Sequence, residues 1–113
     1  MPWKKVHDCP YYPGVQWVHP LKQKSIFRIR EHVREKCPGV THIVLFGSSV
    51  TDRCHFGSDL DLYIFGDPEG NFYPPVDLDE EYDIMWDKFM ERSGPLWERI
   101  KEEGVVVYGE IST

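Results

Sequence analysis

Hydrophobic and polar positions alternate with two different periods along this chain. From Leu21 to Cys37 the apolar residues Leu21, Ile26, Ile29 and Val33 can share one face of a helix, with charged residues on the other. Pro38-Gly39 stops that helix. Thr41-His42-Ile43-Val44-Leu45-Phe46 is β-branched and aromatic and reads as a buried strand, ended by a tight turn at Gly47-Ser48. A short helix is expected from about Ser49 to His55. Asp59-Leu60-Asp61-Leu62-Tyr63-Ile64-Phe65 reads as a second strand closed by Gly66, followed by a long loop over residues 66–79 with two glycines and three prolines. Tyr82 to Trp86 is a third strand. A helix opened by Gly94-Pro95 runs to Gly104, and Val105–Tyr108 is the last strand. Residues 1–20 hold four prolines among aromatics, which disfavours a continuous helix and suggests an extension packed on something else. This order predicts an α/β (α+β) domain: a small twisted mixed β-sheet with helices packed mainly on one face.

At 113 residues the chain has room for one core and for no separate substrate domain. The predicted division is an N-terminal extension over 1–20 and a single domain over 21–113. If the chain is an enzyme, a partner must complete the substrate site. The net charge of -6 argues against a nucleic-acid partner held through its backbone. The charge is unevenly placed. Residues 21–37 carry Lys22, Lys24, Arg28, Arg30, Arg34 and Lys36, while the stretch from Asp67 onward is acidic. The basic run reads first as a solvated helix face, and second as a docking surface for something acidic. Cys9, Cys37 and Cys54 are odd in number, which points to free thiols in a reducing, cytoplasmic setting. No apolar run approaches the ~20 residues that a membrane span needs. His7-x-Cys9 and Cys54-His55 are not repeated at zinc-finger spacing, and His42 reads as a structural histidine.

The candidate chemistry lies where the first two strands meet. Alternate residues of a strand share a face, so Asp59 and Asp61 point the same way, roughly 7 Å apart. Two such carboxylates repel unless a cation sits between them. Magnesium suits them, because it takes oxygen ligands and is commonly completed by substrate phosphates. A third acid on a neighbouring strand would finish the set. Asp83 fits through its strand-like neighbours Tyr82, Ile84 and Met85, with Asp77 as the competing candidate. Gly47 lets backbone approach a phosphate, and the Ser48 hydroxyl with amides at a helix start would bind its oxygens.

Phe46-Gly47-Ser48 followed by Gly57-Ser58-Asp59-Leu60-Asp61-Leu62 resembles the active-site motif of the DNA polymerase β-type nucleotidyltransferases, and in particular their minimal nucleotidyltransferase (MNT) branch. The resemblance runs from about residue 24 to Tyr108. It implies that Asp59, Asp61 and Asp83 are catalytic and ligate magnesium or manganese, with Asp83 also serving as general base. It also implies that Gly47, Ser48 and Ser58 bind the nucleotide. Many members carry an Arg-Gly pair soon after Gly-Ser. Here those positions are Thr51 and Asp52, and Arg53 follows as the substitute cation. The implied reaction is transfer of a nucleoside monophosphate from ATP or another nucleoside triphosphate to a hydroxyl. The implied acceptor is a tyrosine of a helical HEPN-type partner, as in MNT/HEPN toxin–antitoxin pairs. The alternatives are transfer to a small molecule, as in aminoglycoside nucleotidyltransferases, and a non-catalytic nucleotide- or partner-binding module.

Overall fold

The computed structural model describes residues 4–5, 18–67, 69, 72–75 and 77–109. His7, Cys9, Trp17 and most of the expected extension lie outside them. The elements are β1 (Lys4–Lys5), α1 (Pro20–Lys36), β2 (Val40–Phe46), β3 (Leu60–Gly66), β4 (Tyr82–Trp86), α2 (Gly94–Glu103) and β5 (Val105–Tyr108). The strands form one mixed sheet in the order β1-β5-β2-β3-β4. β2 runs antiparallel to both β5 and β3, whereas the outer pairs β1–β5 and β3–β4 are parallel. The edge strand at Lys4–Lys5 carries no signal in the sequence pattern, because it is only two residues long.

Pro20 starts α1 where a missing N–H costs nothing, and His19 caps the turn by accepting the Leu21 amide on Nδ1 at 3.2 Å. Strand alternation then divides the core in two. On one face Ile43, Leu45, Leu60, Leu62, Ile64, Val105 and Val107 pack with Ile26, Ile29 and Val33 of α1. On the other, Val44, Phe46, Tyr63 and Val106 pack with Ile100 and Trp97 of α2. The longer helix thus covers one face, and the shorter one sits against the opposite face. Burying one such Ile or Leu contributes roughly 1.5–3 kcal/mol.

Two local expectations change. The helix expected from Ser49 to His55 is only a single 3-10 turn at Gly47–Val50, followed by turns. The apolar face of α1 also includes a cation. Lys22 shares it with Ile26, Ile29 and Val33 and is 1% exposed, while Leu21 is half-buried. The basic run is therefore not simply a solvated face. Lys22 pairs with Glu80 and Arg28 with Asp77, so part of the basic helix docks on the chain's own acidic segment.

That segment is the crossover between the parallel strands β3 and β4. It runs antiparallel alongside α1: Tyr73 meets His32 edge-on and accepts from the Cys37 thiol, Asp77 meets Arg28, and Glu80 meets Ser25 and Lys22. At its start, Gly66 takes φ +140, and a β-carbon there would lie 2.2 Å from the Gly39 carbonyl oxygen. Among the described residues no helix is long and apolar enough to cross a membrane.

Candidate functional site

β2 stays extended through Phe46 and then bends at Gly47, whose φ is +82. Glycine is needed twice over at this bend. The backbone is left-handed, and a β-carbon would lie 2.3 Å from Oδ2 of Asp61. The Gly-Ser bend and the Asp-x-Asp strand therefore touch. A second tie comes from Ser49, fully buried, whose Oγ donates to the Asp59 carbonyl at 3.0 Å. The Ser49 carbonyl in turn accepts the His19 amide at 2.8 Å, which anchors the bend to the start of α1.

Asp61 is the centre of the site. Its strand neighbours are Phe46 on β2 and Asp83 on β4. Asp59 lies two residues earlier, just before β3 begins. Burial holds the Asp61 carboxyl above the usual carboxylate range, and the nearby charges of Asp83 and Asp59 push it further the same way. Arg99 of α2 opposes them. Asp83 lies exposed on the edge strand, and Asp59 is half-buried. Asp77, the competing third acid, pairs with Arg28 beside α1 instead. Among the described residues, no group of three or more His, Cys, Asp or Glu side chains is gathered tightly enough to hold a metal ion.

The remaining sequence candidates divide. Ser48 is half-buried in the bend, and its carbonyl accepts both the amide and the hydroxyl of Thr51, at 3.0 and 3.1 Å. With only a 3-10 turn here, there is no α-helix start to supply the row of free amides expected from the sequence. The Ser58 hydroxyl accepts the His55 amide at 3.0 Å, and the Ser58 amide donates to the His55 carbonyl at 3.0 Å. Ser58 thus shapes the turn that leads into Asp59. Arg53 projects into solvent, its side chain 71% exposed, with its guanidinium 3.9 Å from Glu103. Cys54 and Cys37 are buried free thiols, and His42 is half-buried with Nδ1 2.9 Å from the Thr41 hydroxyl.

Three contributors escaped the sequence reading. Ser49 carries no motif of its own. Arg99 reaches the site only because α2 lies against β2 and the Gly47–Val50 turn. Tyr63 shares the face of Asp61 two residues further on, and its hydroxyl donates to Asp87 at 2.6 Å. Arg92 holds the same Asp87 carboxylate at 2.9 and 2.7 Å. Arg92 keeps Asp87 below the usual carboxylate range, while burial pushes the Tyr63 phenol up. Beside this network lies a cavity of about 210 Å³ lined by Tyr63, Met90, Leu96, Trp97 and Ile100 among others. Trp97 and Trp86 pack on the two core clusters, whereas Phe89 is 70% exposed.

The sequence profile of the family described as nucleotidyltransferase domain matches residues 26–108. No curated protein matches the chain. Several solved structures share its fold, two of them as follows. One is a mutant of the toxin–antitoxin MntA-HpeT in which two aspartates, two residues apart, are changed to glutamate. It is 18% identical, with a TM-score of 0.56, over 75% of this chain and 73% of that one. The other is a toxin–antitoxin with AMP-PNP, 18% identical with a TM-score of 0.55 over the same shares.

Proposed function

This chain belongs to the nucleotidyltransferase domain family, and from that premise we propose that it transfers a nucleoside monophosphate, AMP from ATP, to a hydroxyl on a partner protein, with pyrophosphate as the leaving group. One observation carries the reading: Asp61 lies against the Gly47 bend, with Asp59 and Asp83 close enough to disfavour its charge. A cation would relieve the repulsion among this half-buried acid and its two neighbours, and would draw the three closer together. Asp59, Asp61 and Asp83 are the residues that would hold magnesium, or manganese in its place. When bound, the metal supplies neutralising charge to the acids and to the triphosphate. The chain's own groups do the rest. The Gly47 bend admits phosphate oxygens close to backbone, and Ser48 offers them a hydroxyl. Arg99, whose charge reaches Asp61, would screen the phosphate charge, with Arg53 swinging in from solvent as the second cation. Asp83, exposed on the rim, accepts the proton of the incoming hydroxyl.

The choice of a protein acceptor draws support from the motif, Phe46-Gly47-Ser48 with Asp59-Leu60-Asp61, which resembles that of the minimal branch. It also draws support from the fold neighbours, one named as a toxin–antitoxin pair and one holding AMP-PNP. The partner we expect is a helical HEPN-type protein presenting a tyrosine. A second reading, a nucleotide-binding module without transfer, is favoured by one observation: Arg53, the stand-in for the family's missing cation, leans toward Glu103.

The test is incubation of the protein with magnesium, labelled ATP and the candidate partner, beside the double variant Asp59→Asn/Asp61→Asn. Label on the partner that vanishes in the variant supports transfer. Nucleotide bound by the wild type with no label moved sinks transfer in favour of the module.

A further inference from the structure

Lys22 is buried among aliphatic residues of α1, where a lysine is costly unless paired. Its ammonium has two partners. It donates to the Phe56 carbonyl at 3.2 Å and to Oε2 of Glu80 at 2.5 Å. Ser25, one turn along α1, holds the other Glu80 oxygen at 3.3 Å. The placement of these partners is informative. Phe56 stands three residues before Asp59, and Glu80 three residues before Asp83. One ammonium therefore binds the lead-ins of both acid-bearing strands.

The strands need such a tie. β3 and β4 are parallel, so no tight hairpin sets their relative height, and the crossover at 67–81 is long. Where the ladder begins, a backbone bond ties β3 to the lead-in of β4, from the Leu60 amide to the Glu81 carbonyl at 2.9 Å. The contacts of the crossover along α1 end at Lys22. A slip of β4 by one residue would carry Asp83 to the face opposite Asp61.

We propose that Lys22 is a positioning residue: from the far side of the sheet it fixes the register of β4 on β3, and so sets Asp83 beside Asp61. The proposal rests on the nucleotidyltransferase reading only for what the acids do, not for the tie itself.

The experiment compares wild type with Lys22→Met, which keeps the aliphatic stem, and with Lys24→Met, an exposed cation two residues away. Amide exchange at Leu60 is measured against Ile64 in the middle of β3, and Mn²⁺ binding is titrated in the presence of a non-hydrolysable ATP analogue. In Lys22→Met, Leu60 is expected to exchange at least tenfold faster relative to Ile64, and the Mn²⁺ midpoint to rise at least tenfold. Lys24→Met should match wild type in both. A purely structural role would change the folded fraction but not the midpoint of the folded protein. If Lys22→Met does not fold, Glu80→Gln, which keeps shape and one acceptor, shows the same changes at smaller size. Unchanged Leu60 exchange in a folded variant overturns the proposal, as does faster exchange with an unmoved midpoint. If wild type binds neither Mn²⁺ nor nucleotide, the nucleotidyltransferase reading falls, and the Leu60 exchange still decides the tie.

Discussion

Replacing Asp61 by asparagine should make the metal-free protein more stable while removing its activity. Asparagine keeps the shape that fits against Gly47 and removes only the charge. Carboxylates on laterally adjacent strands sit roughly 5–6 Å apart, which at an effective dielectric of ~20–80 gives a repulsion of roughly 0.7–3 kcal/mol. Because Asp83 is exposed, the lower end applies, about 1 kcal/mol, or ~4 °C in Tm for a domain of this size. The pH dependence identifies the cause. Asp61 is held above its ordinary value in the folded state, so the folded protein keeps this proton longer than the unfolded chain. The corresponding stability is fully present below the unfolded carboxylate value of about 3.9 and is lost as pH rises through the raised one. The variant lacks that loss, so its advantage should be absent in acid and full at pH 7–8. Thermal unfolding of both proteins from pH 3 to 8 with a chelator measures it. Adding magnesium and a nucleotide should then raise the Tm of wild type and not of the variant. Transfer should fall at least about a hundredfold, since several kcal/mol of charge stabilisation are lost. An Asp61→Asn protein that is less stable than wild type at pH 8, or more stable by the same amount at every pH, would refute the crowded-acid argument.

Three further outcomes are expected. Gly66→Ala should cost at least about 3 kcal/mol in denaturant unfolding, because its β-carbon would meet backbone that cannot swing aside. Ser49→Ala should cost roughly 1–3 kcal/mol by leaving the Asp59 carbonyl unpaired, and transfer measured on fully folded protein should still drop. Asp87→Asn should flatten the acid limb of the stability curve: Arg92 depresses Asp87 in the fold, so its contribution is present above the ordinary value and lost as pH falls through the lowered one. The midpoint of acid unfolding reads this directly.

The hydrophobic pattern was enough to locate both helices and the four longer strands, because the first helix keeps one apolar face and the strands show β-branched and aromatic runs bounded by turn residues. The contact of Asp61 with the Gly-Ser bend was legible for the same reason: strand alternation and turn chemistry are local. What was hidden is tertiary. Lys22 reads as a surface cation until Glu80, distant in the chain, is folded onto it. Ser49 has the same identity as the serine beside it, yet only its hydroxyl is buried against Asp59. The short helix after Ser49 failed because Thr51 closes the turn onto Ser48, and propensity cannot register that. Asp83 outranked Asp77 on its strand-like neighbours and on its spacing to the last helix and strand, and the strand pairing places it next to Asp61.

The strands that carry the acids are not equally protected. β3 is central and largely buried, whereas β4 is an outer strand with Tyr82 and Asp83 open to solvent. Local opening takes least free energy where little apolar surface is covered, so β4 will detach before the central strands do. On warming, then, the enzyme should fall silent while its spectrum still reports a folded protein: the centre of the sheet outlasts the rim on which its work depends.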